Sequence, residues 1–401
     1  MRTTWTFHTA GEIVFGQDAV RRLGEIAGEL GAERVLIITD QSLVDAGLVQ
    51  RVTAPLLEAK VQVEVFAGGQ PDPPVHAVNA AVLQARSFQP QVLLGLGGGS
   101  NMDLAKAAAT LLAHGGKCQD YAGDQVVPGP VHPLILVPTT AGTGSEVTAA
   151  SVLNDRDAGR KFGILSNYLR PRVALVDPLL MVSCPPSVTA DSGIDALTHA
   201  VEAFTAIDNA AFPLPPGERT IYQGRHPLGD MLAEQAIALV GQHLRRAVQD
   251  GRDLAAREAM ALAAMTAGMA FSNVGVALVH ALEYALASVA HTAHGRGCGL
   301  FLPYVMRFNS LAQPQQTARI AALLGEDVTG LSDAQAAARA VAAVDQLKAD
   351  IGIPARLSDV GITAGQLPEL AKLAFSVKRI LRVNPRQVTL AEVMSILESA
   401  L

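Results

Sequence analysis

Through its first half the chain alternates short, continuously apolar runs with longer stretches of helical period. Residues 35–39 (VLIIT) are apolar and β-branched and end at Asp40, and a helical pattern follows through Leu57. Residues 61–66 alternate with period two and lead into the proline-rich turn 70–74, after which a helical segment runs to Arg86. The apolar run 92–96 ends in Gly97-Gly98-Gly99, residues 103–114 have helical period, and 134–137 (LILV) form another apolar run. Uninterrupted apolar strands separated by helices predict a parallel sheet covered on both faces.

Beyond about Pro185 the strand-like runs stop. Helical patterns cover residues 187–205, 230–250, 254–271, 276–289 and 333–351, with an irregular, proline-bearing stretch at 207–227. A loop of that length inside a compact domain is usually functional or mobile. The pattern therefore predicts two domains, an α/β unit over 1–184 and an all-helical unit over 185–401, divided near Asp177-Pro178 and Cys184-Pro185-Pro186.

Composition fits that division. Of 401 residues, 49% are hydrophobic and 17% charged, enough apolar material for large cores and too much for a disordered chain. The apolar helical half predicts a homodimer or higher homo-oligomer. No apolar run reaches the roughly 20 residues a membrane span needs, and the first residues carry no apolar signal-peptide core. Three widely spaced cysteines suit a reducing compartment, and the cytoplasm is the expected location. A net charge of −6 offers no basic footprint for nucleic acid.

Candidate chemistry falls in two groups. Gly97-Gly98-Gly99-Ser100-Asn101 lies between a predicted strand and a helix, where glycines let backbone N–H groups approach a phosphate. Residues 138–145 (PTTAGTGS) follow another strand and are rich in small hydroxyl donors, although Thr143 or Ser145 could equally serve as a helix cap. Asp40, at a strand end, either caps the next helix or accepts from an adenosine ribose hydroxyl, which would favour NAD over NADP. In the second group, Asp195 and His199 are four residues apart on one predicted helix and project from one face. His280, His291 and His294 follow on later segments. A carboxylate with imidazoles suits Fe(II) or Zn(II), yet spacing alone also allows a hydrogen-bonded Asp–His pair.

The segments GGGSNMDLAK (97–106), PTTAGTGSEVT (138–148), GIDALTHAVEA (193–203), VHALEYAL (279–286) and AHGRGCGLFLPYVMRFN (293–309) resemble the iron-dependent (group III) alcohol dehydrogenases. The resemblance extends from residue 7 to residue 397. It implies an α/β dinucleotide-binding domain joined to an all-α metal-binding domain, with NAD and Fe(2+), or Zn(2+), as cofactors. It implies Asp195, His199, His280 and His294 as metal ligands, with His291 a bystander. Cofactor contacts carry over to Asp40, Gly98, Gly99, Ser100, Asn101, Thr139, Thr140, Thr143, Val152, Lys161 and Leu180, with Ser183 beside them. The implied reaction is hydride transfer between an alcohol or aldehyde and nicotinamide, with Lys161 near the nicotinamide ribose.

One position departs from the family pattern. Where many members carry a histidine four residues after the third ligand, assigned to proton relay, this chain has Tyr284. Tyr284 and the insertion around Tyr222–Pro227 look more like the hydroxyacid–oxoacid transhydrogenase branch, which acts on hydroxy acids such as 4-hydroxybutyrate. That branch would need a cation near its substrate, with Arg219 and Arg225 as candidates.

Overall fold

The computed structural model describes residues 2–156, 160–290 and 292–401. Its principal sheet has six strands: β1 (Glu12–Phe15), β2 (Arg34–Ile38), β3 (Gln62–Phe66), β4 (Val92–Gly97), β6 (Leu134–Pro138) and β9 (Val173–Val176). Their order is β1-β9-β6-β4-β2-β3, and every pairing is parallel. Both faces are buried, which explains the unbroken apolar runs. Leu36, Ile38, Leu93, Leu134 and Leu136 join one core, while Val35, Ile37, Val92, Leu94, Ile135 and Val137 join the other. The first core packs under α4 (Val75–Phe88) and α5 (Gly99–His114). The second packs under α1 (Leu23–Glu29) and α3 (Leu48–Glu58), with α2 (Gln41–Asp45) between strand β2 and α3.

A second sheet was not foreseen. Strands β5 (Gly123–Asp124), β8 (Arg160–Leu165) and β7 (Ala150–Asp155) form it in that order, with β7 and β8 antiparallel. Strand β5 has only two residues, β7 alternates buried and more exposed positions, and β8 opens with exposed Arg160 and Lys161, so no apolar run announces them. Strand β1 also escaped the pattern, being a four-residue edge strand.

From Pro186 onward the described residues contain helices and no strands. The helices are α6 (Pro186–Thr205), α7 (Pro227–Gln249), α8 (Leu254–Val274), α9 (Leu278–Ala290), α10 (His294–Asn309), α11 (Pro314–Leu323), α12 (Asp333–Ile351), α13 (Leu367–Ser376), α14 (Lys378–Leu381) and α15 (Leu390–Ser399). The pattern anticipated α6 to α9 and α12. It missed α10, whose first six residues carry three glycines and whose interior holds Pro303, residues of low helix propensity that packing overrides. No single helix among the described residues is long and apolar enough to cross a membrane.

Two glycines allow close approaches around the site, the first joining the two halves of the molecule. Gly144 has φ of 59°, and a Cβ there would lie 2.6 Å from Gly268 Cα, so the loop after β6 sits directly on α8. At Gly295 a Cβ would fall 1.9 Å from the Asp191 carbonyl oxygen. That close approach lets the start of α10 reach α6, one residue from His294 and four from Asp195.

Candidate active site

The phosphate-type loops occupy the carboxyl ends of adjacent strands. The chain turns one way after β2 and the other after β4, and open α/β sheets bind ligands at such a switch point. Asp40 follows β2, Gly97–Asn101 follow β4, and Thr139–Thr143 follow β6. Thr139 N donates to the Gly97 carbonyl at 3.0 Å. A Cβ on Gly99 would lie 2.8 Å from Thr143 Cγ2, whereas one on Gly98 meets nothing nearer than Thr140 Oγ1 at 3.4 Å. Gly99 is thus required by packing, while Gly98 leaves its Cα face open and starts α5 with free N–H groups.

Asp40 caps the helix that follows it and also holds a neighbouring loop. Its Oδ1 caps α2 by accepting from Leu43 N at 3.2 Å, and its Oδ2 accepts from Asn101 Nδ2 at 2.6 Å. Asn101 is buried, so its side chain ties the two strand ends together. Ser100 and Thr140 are partly exposed at the loop surfaces.

The remaining cofactor candidates separate. Val152 and Lys161 lie on the unforeseen β7–β8 hairpin; Val152 N donates to Asp103 Oδ2, and Lys161 Nζ pairs with Asp72 at 2.7 Å. The Leu180 side chain is fully buried in the sheet core, so only its backbone is available to a ligand, while Ser183 is exposed. Beneath the loops, the wholly buried Lys106 donates to Ser145 Oγ, Thr148 Oγ1 and the carbonyls of Thr148 and Ala150. Burial lowers its pKa to about 8, Asp103 acting in the opposite direction.

Asp195, His199, His280 and His294 meet at one point, from helices α6, α9 and α10. Asp195 Oδ1 lies 3.6 Å from His294 Nε2 and 4.0 Å from His280 Nε2. His199 Nε2 is 3.1 Å from His280 Nε2, and His199 Nδ1 is 3.8 Å from Asp195 Oδ2. A tetrahedral ion with ligand bonds of about 2.1 Å separates its donors by about 3.4 Å, so Asp195, His280 and His294 are spaced for one divalent cation, with His199 Nε2 adjoining them at His280. Buried Asp195 Oδ1 has no hydrogen-bond partner, as expected of an oxygen facing an ion. His291 lies outside the described residues.

Two carboxylates hold the imidazoles from behind. His280 Nδ1 is 2.6 Å from Glu202 Oε2, and Glu202 also accepts from Ala277 N and Val279 N. His294 Nδ1 makes a 2.6 Å contact with Glu283 Oε2. An Nδ1–H directed at a carboxylate leaves the Nε2 lone pair free for a metal. Phe271 stacks on His199 with ring centroids 4.0 Å apart, fixing the third ring.

These neighbours set the charge states. Burial pushes the Asp195 carboxyl up, but the three imidazoles outweigh it and hold its pKa below the ordinary value. Burial drives His199 down to about 3, helped by His280 and His294 and opposed by Asp195. His294 rises to about 9, because Glu283 and Asp195 outweigh burial.

Sequence reasoning missed Glu202, Glu283 and Cys298. The signal for the carboxylates was a repeated His-x-x-Glu, at His199–Glu202 and His280–Glu283. Cys298 Sγ lies 3.8 Å from His294 Nε2, and Asp195, His280, His294 and Cys298 bring donor atoms within 4.8 Å of one another. Burial and the surrounding carboxylates raise the Cys298 thiol well above its ordinary pKa, so it is a donor to Asp195 in this state.

Tyr284 stands one turn beyond His280, its ring centroid 6.2 Å from those of both His280 and His294. Burial raises its pKa above the ordinary phenol value, so at neutral pH it holds its proton and can donate but not accept one. Arg225, expected as a substrate-facing cation, is occupied by Asp208 and Asp230 at 3.9 and 3.5 Å, and Arg219 is exposed.

The family profile described as "Iron-containing alcohol dehydrogenase" matches residues 10–178, and "Fe-containing alcohol dehydrogenase family, C-terminal" matches residues 218–401. The chain is 37% identical over 388 residues to the NAD-dependent methanol dehydrogenase of Bacillus methanolicus, covering 97% of each chain. It is 41% identical to long-chain-alcohol dehydrogenase 1 of Geobacillus thermodenitrificans (strain NG80-2), covering 96% of this chain and 94% of that one. The crystal structure of a 1,3-propanediol oxidoreductase superposes with a TM-score of 0.93 at 36% identity, covering 99% of this chain and 100% of the other.

Proposed function

Because the chain belongs to the iron-containing alcohol dehydrogenases, we propose that it interconverts small alcohols and their carbonyl compounds, using NAD(H) and a divalent ion at Asp195, His199, His280 and His294. The observation that carries this reading is the convergence of those four donors from three helices, two of the imidazoles backed by buried Glu202 and Glu283. Fe(2+) is the ion the family implies, and the donor set also accepts Zn(2+). Bound there, it supplies Lewis acidity that favours the alkoxide character of an alcohol and the electrophilicity of a carbonyl.

The chain's own groups do the remainder. Asp40 accepts from the adenosine ribose and repels a 2′-phosphate. Gly98, Gly99, Ser100 and Asn101, with Thr139, Thr140 and Thr143, surround the pyrophosphate with backbone and hydroxyl donors. Val152, Lys161 and the Leu180 backbone lead the nicotinamide end toward the four donors, with the Lys161 ammonium steadied by Asp72. Phe271 and the two glutamates keep the imidazoles from rotating. Tyr284, protonated, offers a hydrogen bond to the substrate oxygen and does not serve as base.

The division at residues 184 and 185 separates the cofactor half from the metal half. Three unpaired cysteines suit the cytoplasm, and the apolar helical half suits a homodimer. The test is NADH formation from primary alcohols and diols by Fe(II)- or Zn(II)-reconstituted protein. The reading predicts alcohol-dependent turnover that a chelator abolishes and Asp195→Asn lacks. Absence of turnover across the panel, in both directions, would overturn it.

A further inference from the structure

The segment that follows α13 places a guanidinium beside the candidate active site. Helix α14 packs against α9, the helix of His280 and Tyr284, and carries Arg379. Arg379 Cζ lies 5.2 Å from the ring centroid of Tyr222, a buried residue of the insertion, and its charge acts on Tyr284 as well. Nη1 is shielded from solvent and has no hydrogen-bond partner.

No carboxylate among the described residues lies within ion-pair distance of Arg379. Its neighbours on the same segment differ: Arg382 pairs with Glu218, and Arg386 with Glu392 at 2.6 Å. Asp124 contributes some negative potential, but its two oxygens already accept from Thr220 Oγ1 and Ile221 N. Burial disfavours the Arg379 charge, while a hydrogen bond with the Tyr222 hydroxyl and the field of Asp124 act the other way, and the guanidinium stays protonated at neutral pH. A half-buried guanidinium whose shielded Nη1 has no partner and which has no counter-ion is suited to an anion brought from outside.

We propose that Arg379 recognises the anionic end of the substrate, a small alcohol or aldehyde bearing a carboxylate or sulfonate, whose reacting end lies at the Asp195, His199, His280 and His294 donors. The inference rests on the dehydrogenase reading and narrows its substrate class. Tyr284 links the two regions: its ring centroid is 6.2 Å from those of two of the imidazoles, and it lies within the field of Arg379. The phosphates of the dinucleotide are not the anion, because their loops lie at the strand ends of the other half. Arg379 suits the role better than Arg225, whose charge is already matched by Asp208 and Asp230.

The experiment measures kcat/KM for short ω-hydroxycarboxylates and ω-hydroxyalkanesulfonates against diols of the same chain length, in wild type, Arg379→Leu and Arg379→Lys. The anionic-over-neutral ratio should fall about 100-fold in Arg379→Leu, with Arg379→Lys between, as expected for loss of a charged hydrogen bond in a shielded site. NAD affinity should stay within about twofold. An equal loss on both substrate types, or an unchanged ratio, would overturn the proposal; a pH profile displaced equally for both would assign Arg379 to Tyr284 instead. If Arg379→Leu does not fold, wild type alone decides, since a preference for the diol at every chain length refutes the idea. A straight-chain carboxylate should also raise the Tm of wild-type holoenzyme above a chloride control, and no such rise would count against it. This readout separates the two claims, because it stands even if neither substrate type is oxidised.

Discussion

Replacing Glu202 by glutamine tests how the imidazoles proposed as metal ligands are set. Glu202 receives three contacts: His280 Nδ1 at 2.6 Å and Ala277 N at 2.9 Å on one oxygen, and Val279 N at 2.7 Å on the other. All three are donors when His280 presents its Nε2 lone pair to an ion. Glutamine keeps one accepting oxygen and places an NH2 where the other stood. Either a backbone N–H loses its acceptor, or His280 changes tautomer and turns an Nε2–H toward the ion. A buried donor left unsatisfied costs about 1–3 kcal/mol, and each 1.4 kcal/mol is about tenfold in an equilibrium constant. Metal affinity should therefore fall about 10- to 100-fold, in line with other loss of carboxylate support behind a ligating histidine. The assay is competition for Zn(II) or Co(II) against a chromophoric chelator, with far-UV circular dichroism to confirm the fold. An affinity within about twofold of wild type would show that Glu202 does not set the His280 tautomer.

Three further outcomes follow from the cofactor half. Asp40→Ser should raise kcat/KM for NADP about tenfold relative to NAD, by removing repulsion of the 2′-phosphate; a fixed NAD:NADP ratio would remove Asp40 from the ribose site. Gly99→Ala puts a Cβ 2.8 Å from Thr143 Cγ2, and overpacking of this kind costs about 1–3 kcal/mol. NADH fluorescence titration should show at least a tenfold weaker Kd, and an unchanged one would mean that the two loops do not jointly bind the pyrophosphate. For Lys106, whose folded pKa of about 8 lies below the 10.5 of an unperturbed lysine, the unfolded state binds more protons between those values. Its contribution to stability is present above about pH 10.5 and is lost as pH falls through about 8. Denaturation of wild type against Lys106→Met should show a difference that shifts by about 3 kcal/mol across this window, and a constant difference would refute it.

Local periodicity was enough for much of this molecule. Continuous apolar runs marked β2, β4 and β6 because both faces of each are covered, and residue spacing placed Asp195 with His199 on one face of α6. Loop chemistry after β4 and β6 was also visible, since glycines and hydroxyls cluster there. The β7–β8 hairpin and α10 were not, because half-exposed strands and a glycine-rich first turn have weak local signals and form through contacts made elsewhere.

What the sequence alone determined, then, was the character of each element and the residues able to ligate a metal or approach a phosphate. Tertiary structure decided which of them meet. Glu202 lies three residues after His199 but supports His280, and Glu283 lies three after His280 but supports His294. Arg379 reaches Tyr222 across more than a hundred and fifty residues of chain, while Arg225 in the insertion is paired elsewhere. A pattern of apolar positions records which face of a helix leaves water, not which helix will cover it. The partner of a buried charge is therefore set only when the helices dock, since the cost of leaving it unpaired arises only then.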